Sequence, residues 1–527
     1  MHKYAAPTVL ALVCVPLLAH AQQPATTDAP ASPPGEESPP AAGALDSAGS
    51  PPATPDTARP ETTDGAALGP FVPAAAAPPP ATTPAAASIP GTFAPTTAVE
   101  TTARVVTTLA DEAAPAPEPA SVLPPGPHPL RVTGSFFVRY EERDGYDRLG
   151  VSGGRFLEGD AVAYRARLGL ATAPIDIDHG NSVVLAFTPQ ASGFWGQLPS
   201  TVADTNVGLH EGFLRLQTPS FHLDVGRFVM NYGDSLIIGS LDWHQTARSF
   251  DGARVHVPVT ESGAYLDVFG TQLGEGRGGP DTGSAAGDTY FTGAYLGIGP
   301  VFDDDMAFDL YALANIWPRT EDQPVDPNDA SLGTANQDTA LQATLGLRVN
   351  NQVEPLDYRF EGALQAGSRP RLLENPSVLA GHADLELGLT PIDQLRLALE
   401  GLYASGDNPD TDDAEGYDQL FPTTHKFLGW MDIFGARTNI YGGAFSVGVK
   451  PIAPLTLQAI GHVYARTRTR GDVGSYDGAE IDTQAAYQVG RGLKLRGMFA
   501  VFVPSEDHYA DDAAAHYTEL ELRYDLK

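Results

Sequence analysis

Tyr164-Arg165-Ala166-Arg167-Leu168-Gly169-Leu170 alternates without a break, so that an extended chain carries Tyr164, Ala166, Leu168 and Leu170 on one face and Arg165 and Arg167 on the other. In a bilayer only the apolar set can meet lipid, and the charged set must then line a lumen. The same unit recurs from Val132 to Leu526: roughly ten residues of alternation, a short turn, a second such stretch, then a long polar loop. No convincing amphipathic helix interrupts it, and the alternation of short and long connections implies an all-β, closed antiparallel transmembrane barrel.

Eighteen candidate strands follow from the pattern, at 131–140, 161–171, 182–190, 208–217, 220–231, 251–259, 263–273, 288–298, 306–316, 339–349, 356–366, 379–389, 395–405, 440–450, 455–467, 479–489, 493–503 and 516–526. An even number lets one chain close with both ends on the same side. Short connections are expected after Ala171, Gln217, Val259, Ile298, Val349, Leu389, Lys450 and Val489, several with turn chemistry such as Thr390-Pro391-Ile392-Asp393. Short turns belong in the periplasm and long loops outside.

The N-terminus fits that location. Met1-His2-Lys3, the apolar run Ala5 to Leu18 and Ala19-His20-Ala21 read as a secretory signal over 1–21. Cys14, the chain's one cysteine, lies inside it, so the mature protein is expected to hold no disulfide. Residues 22–127 are Pro, Ala and Thr with scattered acids and cannot bury a core; they read as a disordered periplasmic linker, leaving 128–527 for the barrel. Of the chain's 32 Lys+Arg and 65 Asp+Glu, 3 and 11 fall in the first 127 residues, and the remainder carries a net charge of −25. Such a balance argues against a nucleic-acid partner.

Sorting every strand by face points fourteen bases, Arg523 among them, and thirteen acids inward, a wall near neutrality. The candidate solute-binding bases are Arg139, Arg165, Arg167, Arg254, Arg348, Arg359, Arg396, Arg466, Lys494 and Arg496. Guanidinium groups are planar, permanently charged and grip carboxylates two bonds at a time, so such a lumen suits a carboxylated solute better than a bare ion. The alternative is that these arginines pair with the inward acids as structural ladders. Residue types alone leave both open.

Two stretches carry a resemblance. GRFVMNYGDSLIIGSLDWHQTARSFDGARV, residues 226–255, opens on Gly-Arg, continues with Tyr-Gly-Asp and runs from Asp-Trp to Arg-x-Phe-Asp-Gly. YASGDNPDTDDAEGYDQLFPTTHKFLGWMDIFGARTNI, residues 403–440, holds Ser-Gly-Asp, an acidic run, Leu-Phe-Pro with a following His, then Gly-x-x-Asp and Asn. Both resemble the alginate export family of outer-membrane barrels, and Gly478-Ala479-Glu480-Ile481-Asp482 is a weaker third match. The resemblance implies an eighteen-stranded monomeric barrel that passes an anionic exopolysaccharide through a basic constriction, in contact with outer-membrane lipid, lipopolysaccharide and periplasmic export components. It places Arg227, Tyr232, Asp234, Asp242, Trp243, Arg248, Phe250 and Asp251 in an element where the third outer loop enters the barrel and lines or braces the constriction. In the competing view Trp243 and Phe250 are girdle aromatics and Arg248 pairs with Asp251. The chain departs from the pattern at Phe228-Val229 and at Ser235-Leu236-Ile237, where polar and basic residues are expected.

The acidic run from Asp407 to Asp413 offers oxygen ligands for Ca²⁺ but lacks the glycine and terminal glutamate of a calcium loop. No cofactor is expected, with Ca²⁺ at that loop the one open alternative. His210, Glu211, His244, His425 and His508 are scattered, and no Gly-x-Ser-x-Gly or His-Glu-x-x-His occurs, so an enzyme is not expected. The expected function is a passive outer-membrane channel for a uronate-type polysaccharide or oligosaccharide, with a general or small-solute porin as the alternative.

Overall fold

The computed structural model describes residues 129–150, 158–195, 206–260, 263–274, 288–299, 306–318, 338–370, 375–471, 473–509 and 512–526. The signal peptide, Cys14 and the linker lie outside the described residues. The wall is built from β1 (Leu130–Asp144), β2 (Gly159–Thr172), β3 (Ile175–Asp178), β4 (Asn181–Trp195), β5 (Asn206–Gln217), β6 (His222–Phe228), β7 (Phe250–Pro258), β8 (Tyr265–Gly274), β9 (Thr289–Ile298), β10 (Ala307–Trp317), β11 (Ala340–Val353), β12 (Leu356–Ser368), β13 (Ser377–Ile392), β14 (Leu395–Ala404), β15 (Ile440–Ile452), β16 (Leu455–Ala465), β17 (Tyr476–Gly490), β18 (Leu493–Pro504) and β19 (Ala515–Leu526). Strands adjacent in the chain pair antiparallel, except that β2 and β3 both pair with β4, and β1 pairs with both β2 and β19, so the sheet closes on itself and leaves no edge for backbone groups to face lipid unpaired.

Eighteen of these strands match the expected eighteen staves. The extra one, β3, arises because Pro174 supplies no N–H and breaks the β2 ladder. Pairing with β4 resumes at Ile175↔Val183, so the turn expected after Ala171 falls instead at Asp178-His179-Gly180, all three at positive φ. The β6 stave is also shorter than expected. Beyond Phe228 the chain leaves the wall, because Met230, Tyr232, Ile237 and Ile238 find an apolar surface inside the lumen and are nearly fully buried there.

Faces sort as the alternation requires. Leu168, Leu345, Leu364, Leu399, Ile481 and Leu520 stand 47 to 68% exposed around the outer wall, a continuous apolar belt that a water-facing monomer would not carry. Their inward neighbours Arg139, Arg165, Asp224, Asp384 and Glu480 are buried. What covers them is the chain itself: the connections 229–249 and 405–439 fold into the barrel. One packs against Phe269, Phe291, Tyr295 and Tyr311 of the wall; the other brings Tyr417, Leu428 and Met431 against Tyr464, Phe502 and Tyr517.

Candidate functional site

The two in-folded connections dock on each other. Gly239 N–H donates to Phe421 O at 2.8 Å, Phe421 N–H to Ile237 O at 2.9 Å and Thr423 N–H to Ser235 O at 2.9 Å, a short parallel pairing in mid-lumen. Arg248 fastens it: its Nη1 donates to the carbonyls of Gly239 and Pro422, each at 3.1 Å, and to that of Phe421. Burial lowers this guanidinium to a pKa of about 10, still charged at neutral pH. Trp243 stacks on His425 with ring centroids 3.9 Å apart, and Lys426 Nζ donates to Asp234 O at 3.3 Å. The two sequence motifs, whose bonded residues lie 173 to 192 positions apart, thus form one structural element.

Its tip is held by the wall's arginines. Arg167 Nη1 donates to Asp242 Oδ1 at 2.5 Å, Arg165 Nη2 to Oδ2 at 3.1 Å and Arg523 Nη2 to Oδ2 at 3.2 Å. Arg165 Nη1 also reaches the carbonyls of Asp242 and His244 at 2.8 and 3.1 Å, and Arg139 Nη1 that of Trp243 at 2.8 Å. Burial opposes ionisation of Asp242, but the three guanidiniums outweigh it and hold the carboxyl well below the usual range. Asp242 thus meets three guanidiniums, with Glu521 a second carboxylate 3.9 Å from Arg523 Nε. Arg165 Nε and Arg167 Nη2 are buried without a hydrogen-bond acceptor among the described residues. Leu241, immediately before Asp242, and Ser235 and Ala247 sit at φ of 50°, 74° and 53°. Such left-handed geometry costs non-glycine residues about 1–3 kcal/mol each and persists only where contacts enforce it.

A second anchor lies across the lumen. Asp234 Oδ2 is 2.9 Å from Arg359 Nε and its Oδ1 3.5 Å from Arg348 Nε. Burial again opposes ionisation, and Arg359, Lys426 and Arg348 together hold Asp234 below its ordinary value. Lys426 is itself lowered by burial against the pull of Asp234.

The other expected solute-binding bases are placed as follows. Arg254 reaches Asp224 at 2.8 Å, Arg396 reaches Asp357 and Glu386 at 2.5 Å each, and Arg496 reaches Glu519 at 2.6 Å. Arg348 and Arg359 meet Asp309 and Asp384 at 3.1 and 2.7 Å in addition to Asp234. Arg139 lies 2.5 Å from Glu141. Lys494 faces inward beside Arg523 near the Arg491-Gly492 turn. Arg466, expected within a stave, lies just past the end of β16 and pairs with Asp477 at 2.8 Å on the outer rim.

Among the motif residues, Tyr232 donates its hydroxyl to Asp267 at 2.7 Å and Phe250 packs edge-on to Phe421. Trp243 is therefore not a girdle residue, and Arg248 does not pair with Asp251. Asp251 is held by Arg227, Nε to Oδ1 at 2.7 Å, on the outer face of the barrel with side chains 41 and 52% exposed. Asp407 Oδ1 accepts from Glu415 N–H at 2.8 Å; among the described residues no group of three or more His, Cys, Asp or Glu converges as metal ligands would. Sequence reasoning placed Arg523 on the inner wall but not in the site, and missed Lys426 and the Trp243–His425 stack. Only the recurrence of His425 after Leu-Phe-Pro in the second motif gave a signal for it.

Set against known proteins, residues 205–517 match the family model described as "Alginate export". No curated protein matches the chain. Solved structures similar in fold include Pseudomonas aeruginosa OccK1 (OpdK), at 14% identity and TM-score 0.53 over 75% of this chain and 98% of that one. OccK2 (OpdF) of the same organism, in complex with glucuronate, is similar at 12% identity and TM-score 0.53, with the same shares covered. OpdK with vanillate follows at 13% identity and TM-score 0.52, again over 75% and 98%.

Proposed function

The chain belongs to the alginate export family, whose fold is that of outer-membrane channels, and on that premise we propose that it passes an anionic, uronate-type polysaccharide or oligosaccharide through its arginine-bearing lumen. The observation that carries the reading is the carboxylate of Asp242 between Arg165, Arg167 and Arg523. That cluster binds a carboxylate of the chain's own. A uronate presents the same planar, two-oxygen acceptor and would compete for the donors that now hold Asp242. A travelling polymer would exchange for Asp242 and loosen the 229–249 connection from the wall. Transport would run down the solute's gradient, without catalysis, and the N-terminal segment would extend into the periplasm. The chain would work as a monomer alongside periplasmic export components.

Single-channel conductance of the refolded barrel in a planar bilayer, under a salt gradient and with added oligouronate, tests this. Anion selectivity with concentration-dependent block is the expected result. The closely paired acids of the wall, such as Asp384 and Glu400 around Arg359, favour a second reading as a general porin. A large cation-selective current indifferent to the sugar would sink the uronate reading in its favour.

A further inference from the structure

A cavity of about 470 Å³ lies at the short-turn end of the lumen, roofed by Phe228, Asn231 and Tyr232 where the first in-folded connection leaves the wall. It falls within the ~300–1,000 Å³ of small-molecule sites. Its sides come from strand ends beside the short turns: Arg131 is the second residue of β1, Arg215 the third from the end of β5, and Tyr265 opens β8. The cavity is separate from the Asp242 cluster, whose residues do not line it.

Its carboxylates are already answered. Asp267 is held by His256 Nδ1 at 2.6 Å and by the Tyr232 hydroxyl, and Glu211 accepts from Val229 N–H and the Thr188 side chain. Asp224, just outside, takes Arg215 at 2.6 Å and one nitrogen of Arg254. One cationic group is left over: Arg131 is exposed and has no ion pair among the described residues, whereas Arg254 is committed to Asp224. Phe213 and Tyr265, both only partly buried, supply flat apolar surface between them. The unspent Arg131 guanidinium beside ring surface, with the Asn231 amide and the Thr133 hydroxyl at the margin, fits a carboxylate carried on a six-membered ring.

We infer that this cavity is a binding site for a uronosyl unit, the place where the polymer first engages from the periplasmic side before it meets the Asp242 cluster. The inference rests on the transport reading above and adds a second, sided site to it. The test uses the full-length barrel in a planar bilayer, with insertion sidedness set by protease accessibility and a tri-uronate added to one side at a time. Arg131→Gln is expected to weaken block from the short-turn side about tenfold, the loss of one charge-assisted hydrogen bond. Arg131→Glu, a surface change that leaves the core packing intact, is expected to weaken it further. Wild-type block from that side that neither substitution changes would overturn the site and leave the transport reading standing. Absence of block from either side of the wild-type barrel would remove the transport reading and the site with it. Benzoate blocking the short-turn side as strongly as the tri-uronate would also overturn it, since the cavity would then take small aromatic acids.

Discussion

Asp242→Asn keeps the shape of the side chain and removes the charge that three guanidiniums share. In the native contact Asp242 accepts from Arg167 at 2.5 Å, Arg165 at 3.1 Å and Arg523 at 3.2 Å. Breaking a buried charge pair by removing one partner costs about 3–5 kcal/mol. Here the side chain is 23% exposed, the asparagine oxygen still accepts, and the bonds from Arg139 and Arg165 to main-chain carbonyls survive, so the cost falls to about 2 kcal/mol, within the range for a charge-assisted hydrogen bond. That is roughly a thirtyfold shift of the 229–249 connection toward its undocked state. Amide hydrogen exchange at 235–247 in the detergent-solubilised barrel should accelerate by that factor, and oligouronate should block at lower concentration because a neutral amide competes less well for the guanidiniums. Arg167→Gln should also speed exchange but weaken block, and this opposite sign separates a ligand site from a structural anchor. Unchanged or weaker block in Asp242→Asn would falsify the exchange of Asp242 for a solute carboxylate. The pH dependence has a fixed sign. A carboxyl held below its unfolded value of about 3.9 contributes in full above that value and loses its contribution only as pH falls toward the depressed one. Docking should therefore be constant from pH 8 to 5, and a loss within that window would count against the assignment.

Three further outcomes follow from the docked connections. Gly239→Ala places a Cβ 2.5 Å from Thr423 Oγ1, 2.7 Å from Ser235 Cβ and 3.1 Å from Thr423 N, so the parallel pairing must part; faster exchange at Ile237 and Phe421 with a still heat-resistant barrel is the expected result. Arg248→Gln removes the charge that ties Gly239, Phe421 and Pro422 together, at about 1.5–3 kcal/mol, and maleimide labelling of a cysteine introduced at Ser240 should rise at least tenfold. Arg227→Ala, by contrast, breaks a pair on the outer face that does not touch the in-folded connections, and conductance and uronate block should stay at wild-type values although the residue belongs to the same sequence motif.

The wall was legible in the sequence because a strand in a bilayer has a two-residue period and one face that must be apolar. Every stave follows from that rule, and so does the inward direction of Arg165, Arg167 and Arg523. Period alone said nothing of where the connections go. The stretch Val229 to Arg248 holds apolar residues at no fixed spacing, and its inward path depends on Phe269, Phe291 and Tyr295 from strands tens of residues later. Pro174 was visible, yet whether it ends a stave or splits one depends on pairing with β4. The arginines posed the harder question. Charge counting found near balance, but which carboxylate meets which guanidinium is set by register: Arg215 opposite Asp224, and Asp224 opposite Arg254, form a ladder within the wall. Arg165 and Arg167 instead pair across strands with Ser192 and Gln190, which carry no charge. They are therefore left for a partner from the lumen, and Asp242 is that partner.

This difference in register also bears on how a closed lumen could yield to a polymer. A wall ladder such as Arg215–Asp224–Arg254 cannot be invaded without breaking hydrogen bonds between adjacent strands, whereas Asp242 is carried on a connection whose ends are the only covalent constraint. A tethered carboxylate competes at an effective concentration in the millimolar range. A monouronate would need comparable concentration to displace it. A chain with a carboxylate on every residue meets Arg165, Arg167 and Arg523 several at a time, and once the first is engaged the next is equally tethered. Displacement should accordingly steepen with chain length, so that block by mono-, di- and tri-uronate at equal carboxylate concentration rises by far more than the ratio of their lengths. Equal block at equal carboxylate concentration would mean that single charges are screened rather than exchanged, and the Asp242 cluster would revert to a purely structural clamp.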